Sequence, residues 1–297
     1  GAIQDVLTAR GYREAITFSF VEPRVQERLD PGHPPIALAN PISADLAVMR
    51  TTLWSSLLGA VAHNLNRQQG RVRLFETGLR FLGEGASIRQ EAMVAGACAG
   101  SARPEQWGAP SRPLDFFDLK GDVEALAALG GAGARADFLP LEDPALHPGQ
   151  AASLVLGGEV AGRLGALHPE HLKALDLAGP VYLFELSLEV LRRGRLPAFT
   201  PLSRFPLIRR DLALVLPEAV TAAQVHGVIG QAAPDMLKNL QLFDVYRGEH
   251  IDSGKKSLAL ALYLQAAERT LTDAEVDAAL GRIVDVLTHQ LGAELRG

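Results

Sequence analysis

The pattern of hydrophobic and polar positions is most regular in the last third of the chain. Leucines occupy every second position from Leu258 to Leu264, with two alanines and one tyrosine between them. This period of two predicts a strand with one buried face. The preceding stretch, Leu240 to Tyr246, alternates in the same way, and a turn with Gly248 and Gly254 joins the two. Together they predict a β-hairpin.

The alternation assigns the side chains of this hairpin to two faces. We expect Phe243 and Val245 to join the leucines in the core. The opposite face would then carry Leu242, Asp244, Tyr246, Ser257 and Ala259. A ring, a carboxylate and a hydroxyl among small residues suit an unstacked RNA base, because the ring stacks on the base and the polar groups bind its edge. Packing of Tyr246 on its own sheet is the competing interpretation.

The sequence on both sides of the hairpin predicts the fold of this region. Arg210 to Leu216 alternates as a strand, and a helix with Thr221 as N-cap follows it. After the hairpin, Thr272 starts a capping box and a helix that ends at Gly292, and Ala293 to Arg296 is a last short strand. The order βαββαβ is the ferredoxin-like arrangement, in which two helices cover one sheet face and leave the other open. We expect the open face to carry the carboxylate and the tyrosine ring.

The first two thirds of the chain predict a mixture of helices and strands. Helices are predicted from Ile3 to Arg10, after Thr51 or Thr52, and from Asp118 to Leu129. Strands are predicted at Ile16 to Phe20, at Arg71 to Phe81 with a turn at its glycine, at Met93 to Ala99, at Ser153 to Gly165 with a turn at Gly157-Gly158, and at Pro180 to Leu186. The proline-containing stretch Arg195 to Ser203 predicts a linker between a domain of residues 1–198 and one of residues 199–297.

Composition adds limits to this picture. The chain has 297 residues, 47% of them apolar, and a net charge of −5. It has neither an apolar run of about 20 residues nor a signal-peptide pattern, so we expect no membrane partner and a cytoplasmic location. The net charge does not by itself indicate a nucleic-acid binder. Basic clusters at the strand ends are either phosphate contacts or solvated charges, and they contain Arg204, Arg209, Arg210, Arg247, Lys255 and Lys256.

The other reactive side chains have structural interpretations. Cys98 is the one cysteine and lies in an alternating run, which favours a buried thiol and excludes an internal disulfide. His168 and His171 flank a predicted helix start without a third ligand at a recognisable spacing, so we expect no metal site. Asp115 and Asp118 could form a carboxylate pair, but a helix cap at Asp118 is the simpler interpretation. No nucleotide-binding or nucleophile motif is present, and we predict no catalytic residue.

Long motifs in the chain resemble the C-terminal part of the bacterial phenylalanine–tRNA ligase beta-subunit family. They include YREAITFSFVEP from Tyr12, NPISADLAVMRTTLWSSLL from Asn40, SRFPLIRRDLALVL from Ser203 and LFDVYRG from Leu242. The resemblance implies an α+β chain, with a degenerate class II synthetase-like antiparallel sheet domain before a ferredoxin-like anticodon-binding domain.

The sequence agrees with a loss of catalysis in the first domain. Where a class II active site has Glu-Arg, the stretch Val181 to Leu188 has Leu186 in the place of the arginine. An adenylating site needs that arginine to hold the phosphates of ATP. We therefore expect a scaffold with no cofactor of its own.

The resemblance also assigns site residues and partners. Tyr246 would stack on the first anticodon base, and Asp244 and Ser257 would hydrogen-bond to its edge. The expected partners are phenylalanine tRNA and an alpha subunit, in a heterotetramer of two alpha and two beta chains that uses ATP and magnesium. The helix within Thr51 to Gln68 is expected at the alpha-subunit interface. Family beta chains are longer, so their editing site and magnesium ligands are not assigned to this stretch.

Two other functions remain as alternatives. The βαββαβ module could be a regulatory domain that senses an amino acid, although its first turn, Pro217 to Val220, lacks the glycine that such sensors place there. The first domain could instead be an active adenylating enzyme, which ATP–pyrophosphate exchange would reveal.

Overall fold

The structure, a computed structural model, describes residues 1–131, 136–194, 199 and 202–296. The chain divides into two compact units, Gly1–Ala198 and Phe199–Gly297. Most of the predicted linker, Arg195 to Ser203, lies outside the described residues. Within the described part of the chain, no helix combines the length and the apolar character needed to cross a membrane.

Unit 1 is built from short helices and a large sheet. Its described elements are α1 (Ala2–Ala9), β1 (Arg13–Glu14), β2 (Phe20–Val21), α2 (Pro23–Leu29), β3 (Val48–Met49), α3 (Trp54–Leu65), β4 (Arg71–Leu82), β5 (Arg89–Gly100), α4 (Phe116–Ala127), β6 (Ala136–Pro140), β7 (Leu146–Leu156), β8 (Glu159–Leu167), α5 (Pro169–Ala174), β9 (Val181–Ser187) and α6 (Leu188–Arg192). Seven strands form one sheet in the order β1-β4-β5-β9-β8-β7-β6, and β2 pairs with β3. All pairs are antiparallel except β1 with β4.

Hydrophobic cores cover both faces of this sheet. On one face, apolar residues of α1, α4 and α6 pack with Phe75 and Phe184. On the other face, α2, α3 and α5 pack on the sheet, and α3 contributes Trp54, Leu57 and Val61. The degenerate-synthetase prediction of an antiparallel sheet with flanking helices therefore agrees with the observed architecture.

Three local predictions for unit 1 were wrong. β4 continues through Gly78 without a turn. The glycine is there for packing and not for a turn, since a Cβ at this position would lie 2.4 Å from Nη2 of Arg50. The alternating Ile16 and Phe18 are not in a strand and are 95% and 68% exposed. The N-cap of α4 is Asp115, and Asp118 is its reciprocal partner at the third helical position.

The helix after Thr51 and Thr52 also begins slightly later than predicted. Its N-cap is Leu53, and both threonines are buried. Two other expectations are confirmed. Cys98 is completely buried, and this burial raises the pKa of its thiol to about 12. His168 is the N-cap of α5 and accepts a hydrogen bond from the Glu170 amide.

Unit 2 has the predicted order βαββαβ. Its described elements are β10 (Ile208–Pro217), α7 (Ala222–Ala232), β11 (Leu237–Tyr246), β12 (Lys255–Leu264), α8 (Asp273–Leu291) and β13 (Glu294–Leu295). The four strands form an antiparallel sheet in the order β11-β12-β10-β13. The predicted capping boxes at Thr221 and Thr272 are present, and Gly292 ends α8 in the left-handed conformation. The alternate leucines of β10 and β12 pack beneath α7 and α8.

A β-bulge in β11 changes which residues share a face. Its register shifts between Leu242, which lies opposite Leu260, and Asp244, which lies opposite Ala259. Directly opposed residues of an antiparallel pair project to the same side, so Leu242 lies on the core face and not on the open face. Phe243, which we predicted in the core, is 49% exposed at the bulge. Val245 does lie on the core face, opposite Leu258, although it is 40% exposed at this sheet edge.

Candidate nucleic-acid interface

The helices α7 and α8 cover one face of the sheet of unit 2. We call the opposite face, which no helix of the described residues covers, the open face. Its middle is built from small side chains, because Ala213, Ala259 and Ala261 follow the alternation opposite to the core leucines. Larger polar and aromatic groups surround this shallow centre. The floor is therefore low enough for a flat ligand to approach the sheet.

Tyr246 and Arg296 meet across the open face. The guanidinium carbon of Arg296 lies 5.2 Å from the centroid of the Tyr246 ring, a cation–π distance. The Tyr246 hydroxyl donates to the carbonyl of Glu249 at 3.2 Å, which fixes the ring relative to the turn. The hydroxyl also requires the glycine at position 248, where a Cβ would lie 2.9 Å from it. Tyr246 keeps 37% of its surface exposed.

Asp244 and Ser257 lie on the same face as Tyr246. Asp244 is exposed and sits two residues before the tyrosine, opposite Ala259. Ser257 lies directly opposite Tyr246 in the register but is only 3% exposed, so it belongs to the floor of the face. The strand pairing thus brings together the three residues that the resemblance assigned to one base.

A second aromatic group occupies another part of the open face. The guanidinium carbon of Arg209 lies 5.6 Å from the Phe243 ring centroid and 5.9 Å from that of Tyr263. Arg209 also forms an ion pair with Asp211, with a shortest distance of 2.8 Å. The bulge is the reason that Phe243 reaches this group instead of the core. The open face therefore presents two separate sets of aromatic and guanidinium planes.

The other basic residues of the strand ends differ in position. Arg210 lies on the helix side of the sheet, opposite Leu262, and contacts Asp273 at 3.1 Å. Lys256 is 9% exposed and donates to the Glu218 carbonyl. Arg247 and Lys255 are bound to acidic side chains at 2.7 and 2.9 Å. Arg210 and Lys256 thus make structural contacts within unit 2 and do not lie beside the ring of Tyr246.

The sequence interpretation missed Arg296, Phe243 and Tyr263 as members of the face. Tyr263 alternates in phase with Ser257, so its position followed from the pattern, but its contact with an arginine did not. Arg296 comes two residues after Glu294 of β13, and the alternation of strand residues would have placed both side chains on the same face of the sheet. The contact with Tyr246 depends on the strand order, which that alternation does not provide.

In unit 1, the position expected to hold a catalytic arginine is part of a packed core. Leu186 of β9 is completely buried, in the core that α1, α4 and α6 cover. The preceding Glu185 is also buried and accepts hydrogen bonds from the Leu53 amide at 2.7 Å and the Thr52 hydroxyl at 2.9 Å. It also lies 3.5 Å from Arg163. The carboxylate thus holds the start of α3 against the sheet.

Comparisons with known proteins agree in both units. Residues 1–188 match the family described as "Phenylalanyl tRNA synthetase beta chain CLM domain", and residues 203–296 match "Ferredoxin-fold anticodon binding domain". The chain is 50% identical over 295 residues to the phenylalanine–tRNA ligase beta subunit of Pseudomonas fluorescens strain Pf-5, and 49% identical over 295 residues to that of Nitrosococcus oceani. Each alignment covers 99% of this chain and 37% of the relative, so the chain spans just over a third of their length. The chain belongs to the phenylalanyl-tRNA synthetase beta-chain family.

Proposed function

We propose that the open face of unit 2 binds the anticodon of phenylalanine tRNA, with Tyr246 stacking on the first anticodon base. The observation that carries this proposal is the exposed Tyr246 ring beside Asp244 and above the Ser257 floor. A base on the ring would place its edge toward a carboxylate and a hydroxyl, which accept and donate hydrogen bonds. The match of residues 203–296 to an anticodon-binding family supports the same role.

The positive side chains around the rings would contact the phosphates of the loop. Arg209, Arg247, Lys255 and Arg296 are exposed or partly exposed in the sheet and its turn. Arg210 and Lys256 are weaker candidates for phosphate contacts, because one contacts the start of α8 and the other is buried against a carbonyl. Such contacts position the RNA, whereas the base contacts give specificity.

We further propose that unit 1 assembles with an alpha subunit, in a complex of two alpha and two beta chains. The apolar stripe of α3 is used in its own core, so the contact would come from the exposed side of this region. Ile16 and Phe18 are the strongest candidates, since they are 95% and 68% exposed on a segment next to α3. The Ser56 hydroxyl of α3 donates to the Phe18 carbonyl at 3.2 Å, which joins the two surfaces.

In this proposal unit 1 has no adenylating activity of its own. Leu186 is completely buried in the core that α1, α4 and α6 cover, so the position expected to hold the catalytic arginine offers no guanidinium to the phosphates of ATP. The ATP-dependent attachment of phenylalanine, and the magnesium that it uses, would belong to the partner subunit of a cytoplasmic holoenzyme. ATP–pyrophosphate exchange by this chain alone would contradict the proposal.

The test of anticodon binding is a titration of the chain with the anticodon stem-loop of phenylalanine tRNA. A loop with its first anticodon base changed serves as the matched control. We expect tighter binding of the unchanged loop, at a salt concentration held constant in both titrations. Equal affinity for the two loops would contradict base reading by the open face, and saturable binding of free phenylalanine to unit 2 would favour the amino-acid-sensing alternative.

A further inference from the structure

A pocket of about 390 Å³ in unit 1 has a chemistry that the proposed function does not use. It lies between the end of α1, the start of β4 and helix α4. Its volume falls within the range of roughly 300–1,000 Å³ that is usual for ligand sites. Its charged lining residues are Arg10, Arg71, Arg73, Asp118 and Asp122.

The carboxylates of the pocket do not balance its arginines. Asp122 accepts from Nε of Arg10 at 2.6 Å and from Nη1 of Arg73 at 2.7 Å. Asp118 is already bound by two nitrogens of Arg112, which does not line the pocket, at 2.6 Å each. Three guanidiniums and two carboxylates thus line the pocket, which leaves an excess of one positive charge, and only Asp122 pairs with the arginines of the pocket.

Arg71 is the arginine without a counter-ion. No acidic side chain of the described residues lies within ion-pair distance of it. Its Nε is buried without a hydrogen-bond partner, and the same is true of Nε of Arg73. The guanidinium lies against Gly11, where a Cβ would come within 3.0 Å of Nη2. Burial, and then the charge of Arg73, lower the pKa of Arg71. An unpaired cation in such a place gains most from a bound anion.

We propose that this pocket binds a phosphate monoester, with Arg71 as its main contact and Arg10 and Arg73 beside it. A phosphate monoester has a charge of about −1.5 to −2 near neutral pH and three acceptor oxygens, one for each of the three guanidiniums. A guanidinium binds such a group through two parallel hydrogen bonds. A carboxylate or an internal phosphodiester has only two terminal oxygens, so it would leave one of the three guanidiniums without an acceptor.

The phosphate monoester can come from a free nucleotide or from the 5′ end of an RNA. Three probes distinguish these sources: inorganic phosphate, adenosine monophosphate, and a short RNA with either a 5′-phosphate or a 5′-hydroxyl. Affinity is measured calorimetrically with the full 297-residue chain at constant ionic strength. A preference for the mononucleotide assigns the site to free nucleotides, and a preference for the 5′-phosphorylated RNA assigns it to RNA ends.

The test compares Arg71→Gln with Arg67→Gln. Arg67 is an exposed arginine that follows α3, so its replacement removes the same charge outside the pocket. We expect Arg71→Gln to weaken phosphate binding about 10-fold or more, as for the loss of a charged hydrogen-bonded contact, and Arg67→Gln to leave it unchanged. Tyr246→Ala should leave the binding of inorganic phosphate unchanged, which separates this inference from anticodon binding.

Folding of the variants is checked by thermal unfolding in phosphate-free buffer. Because Arg71 has no counter-ion, Arg71→Gln should unfold at the same temperature as the unsubstituted chain or higher. If it does not fold, Arg71→Lys retains the charge without the planar fork, and it should bind phosphate more weakly than the unsubstituted chain. The inference is overturned if none of the three probes binds, or if phosphate affinity is the same with and without the Arg71 guanidinium.

Discussion

Replacing Tyr246 by alanine is the most direct test of the open face. Stacking of one base on an aromatic ring contributes roughly 1–3 kcal/mol, which corresponds to an increase in Kd of about 5- to 150-fold when the ring is removed. The ring already contacts Arg296 at 5.2 Å in the free protein. Such an exposed cation–π contact contributes about 0.5–1 kcal/mol. A base that displaces the guanidinium would therefore give an effect near the lower end of the range.

The structure provides a matched control for this substitution. Tyr246→Phe keeps the ring and removes only the hydrogen bond from the hydroxyl to the Glu249 carbonyl. We expect Tyr246→Phe to bind the anticodon stem-loop with nearly unchanged affinity, because the stacking plane remains. Tyr246 is outside the hydrophobic core beneath α7 and α8, so neither substitution should unfold unit 2.

The assay is a fluorescence anisotropy titration of the labelled stem-loop at one fixed salt concentration, with circular dichroism to verify folding. Equal dissociation constants for Tyr246→Ala and the unsubstituted chain would refute the stacking role, and the ring would then serve only to pack on the sheet. Equal losses for Tyr246→Ala and Tyr246→Phe would instead assign the effect to the hydroxyl and to the geometry of the turn.

Three further substitutions test the packing and the charges of the fold. Asp122→Asn removes the buried counter-ion of two arginines and should lower the free energy of unfolding by about 3–5 kcal/mol in a urea titration. The control Glu159→Gln lies in an exposed ion pair and should leave the free energy of unfolding nearly unchanged. Gly96→Ala should cost about 1–3 kcal/mol in the same titration, because its Cβ would lie 2.2 Å from a phenylalanine ring carbon. Hydrogen bonds from Arg269 and then from the N-cap threonine lower the pKa of Glu275 from 4.5 to about 2. The stability that this carboxylate contributes is therefore present above pH 4.5 and lost as the pH falls toward 2. If Glu275→Gln and the unsubstituted chain lost the same free energy of unfolding between pH 4.5 and 2, the contact would be contradicted.

Most of unit 2 was predictable because its signals are local. The alternation of β10 and β12 and the capping boxes at Thr221 and Thr272 each depend on residues within one element. These signals were enough to order the six elements and to place Asp244 and Tyr246 on the open face. The bulge at Phe243 was not predictable, since an extra residue in one strand is defined only by its pairing with another.

In unit 1 the errors have the same cause. Gly78 resembles a turn glycine in the sequence, but it is required by Arg50, which is distant in the chain and reaches the same strand in the fold. Ile16 and Phe18 alternate as in a strand, yet no strand of the described residues pairs with them. A periodic pattern reports which side chains could share a face, and only tertiary pairing decides whether that face exists.

The charges of unit 2 indicate how binding energy would be divided on the open face. Arg209, Arg247 and Lys255 are each paired with an acidic side chain at 2.7 to 2.9 Å in the free chain. These pairs are largely exposed, so water and salt screen each of them. A phosphate would therefore exchange one weak ion pair for another, at little cost and with little gain. Because these three cations are already neutralised in the free chain, the proposed complex would release fewer counterions, and the salt dependence of RNA binding should be shallower than the number of basic residues suggests.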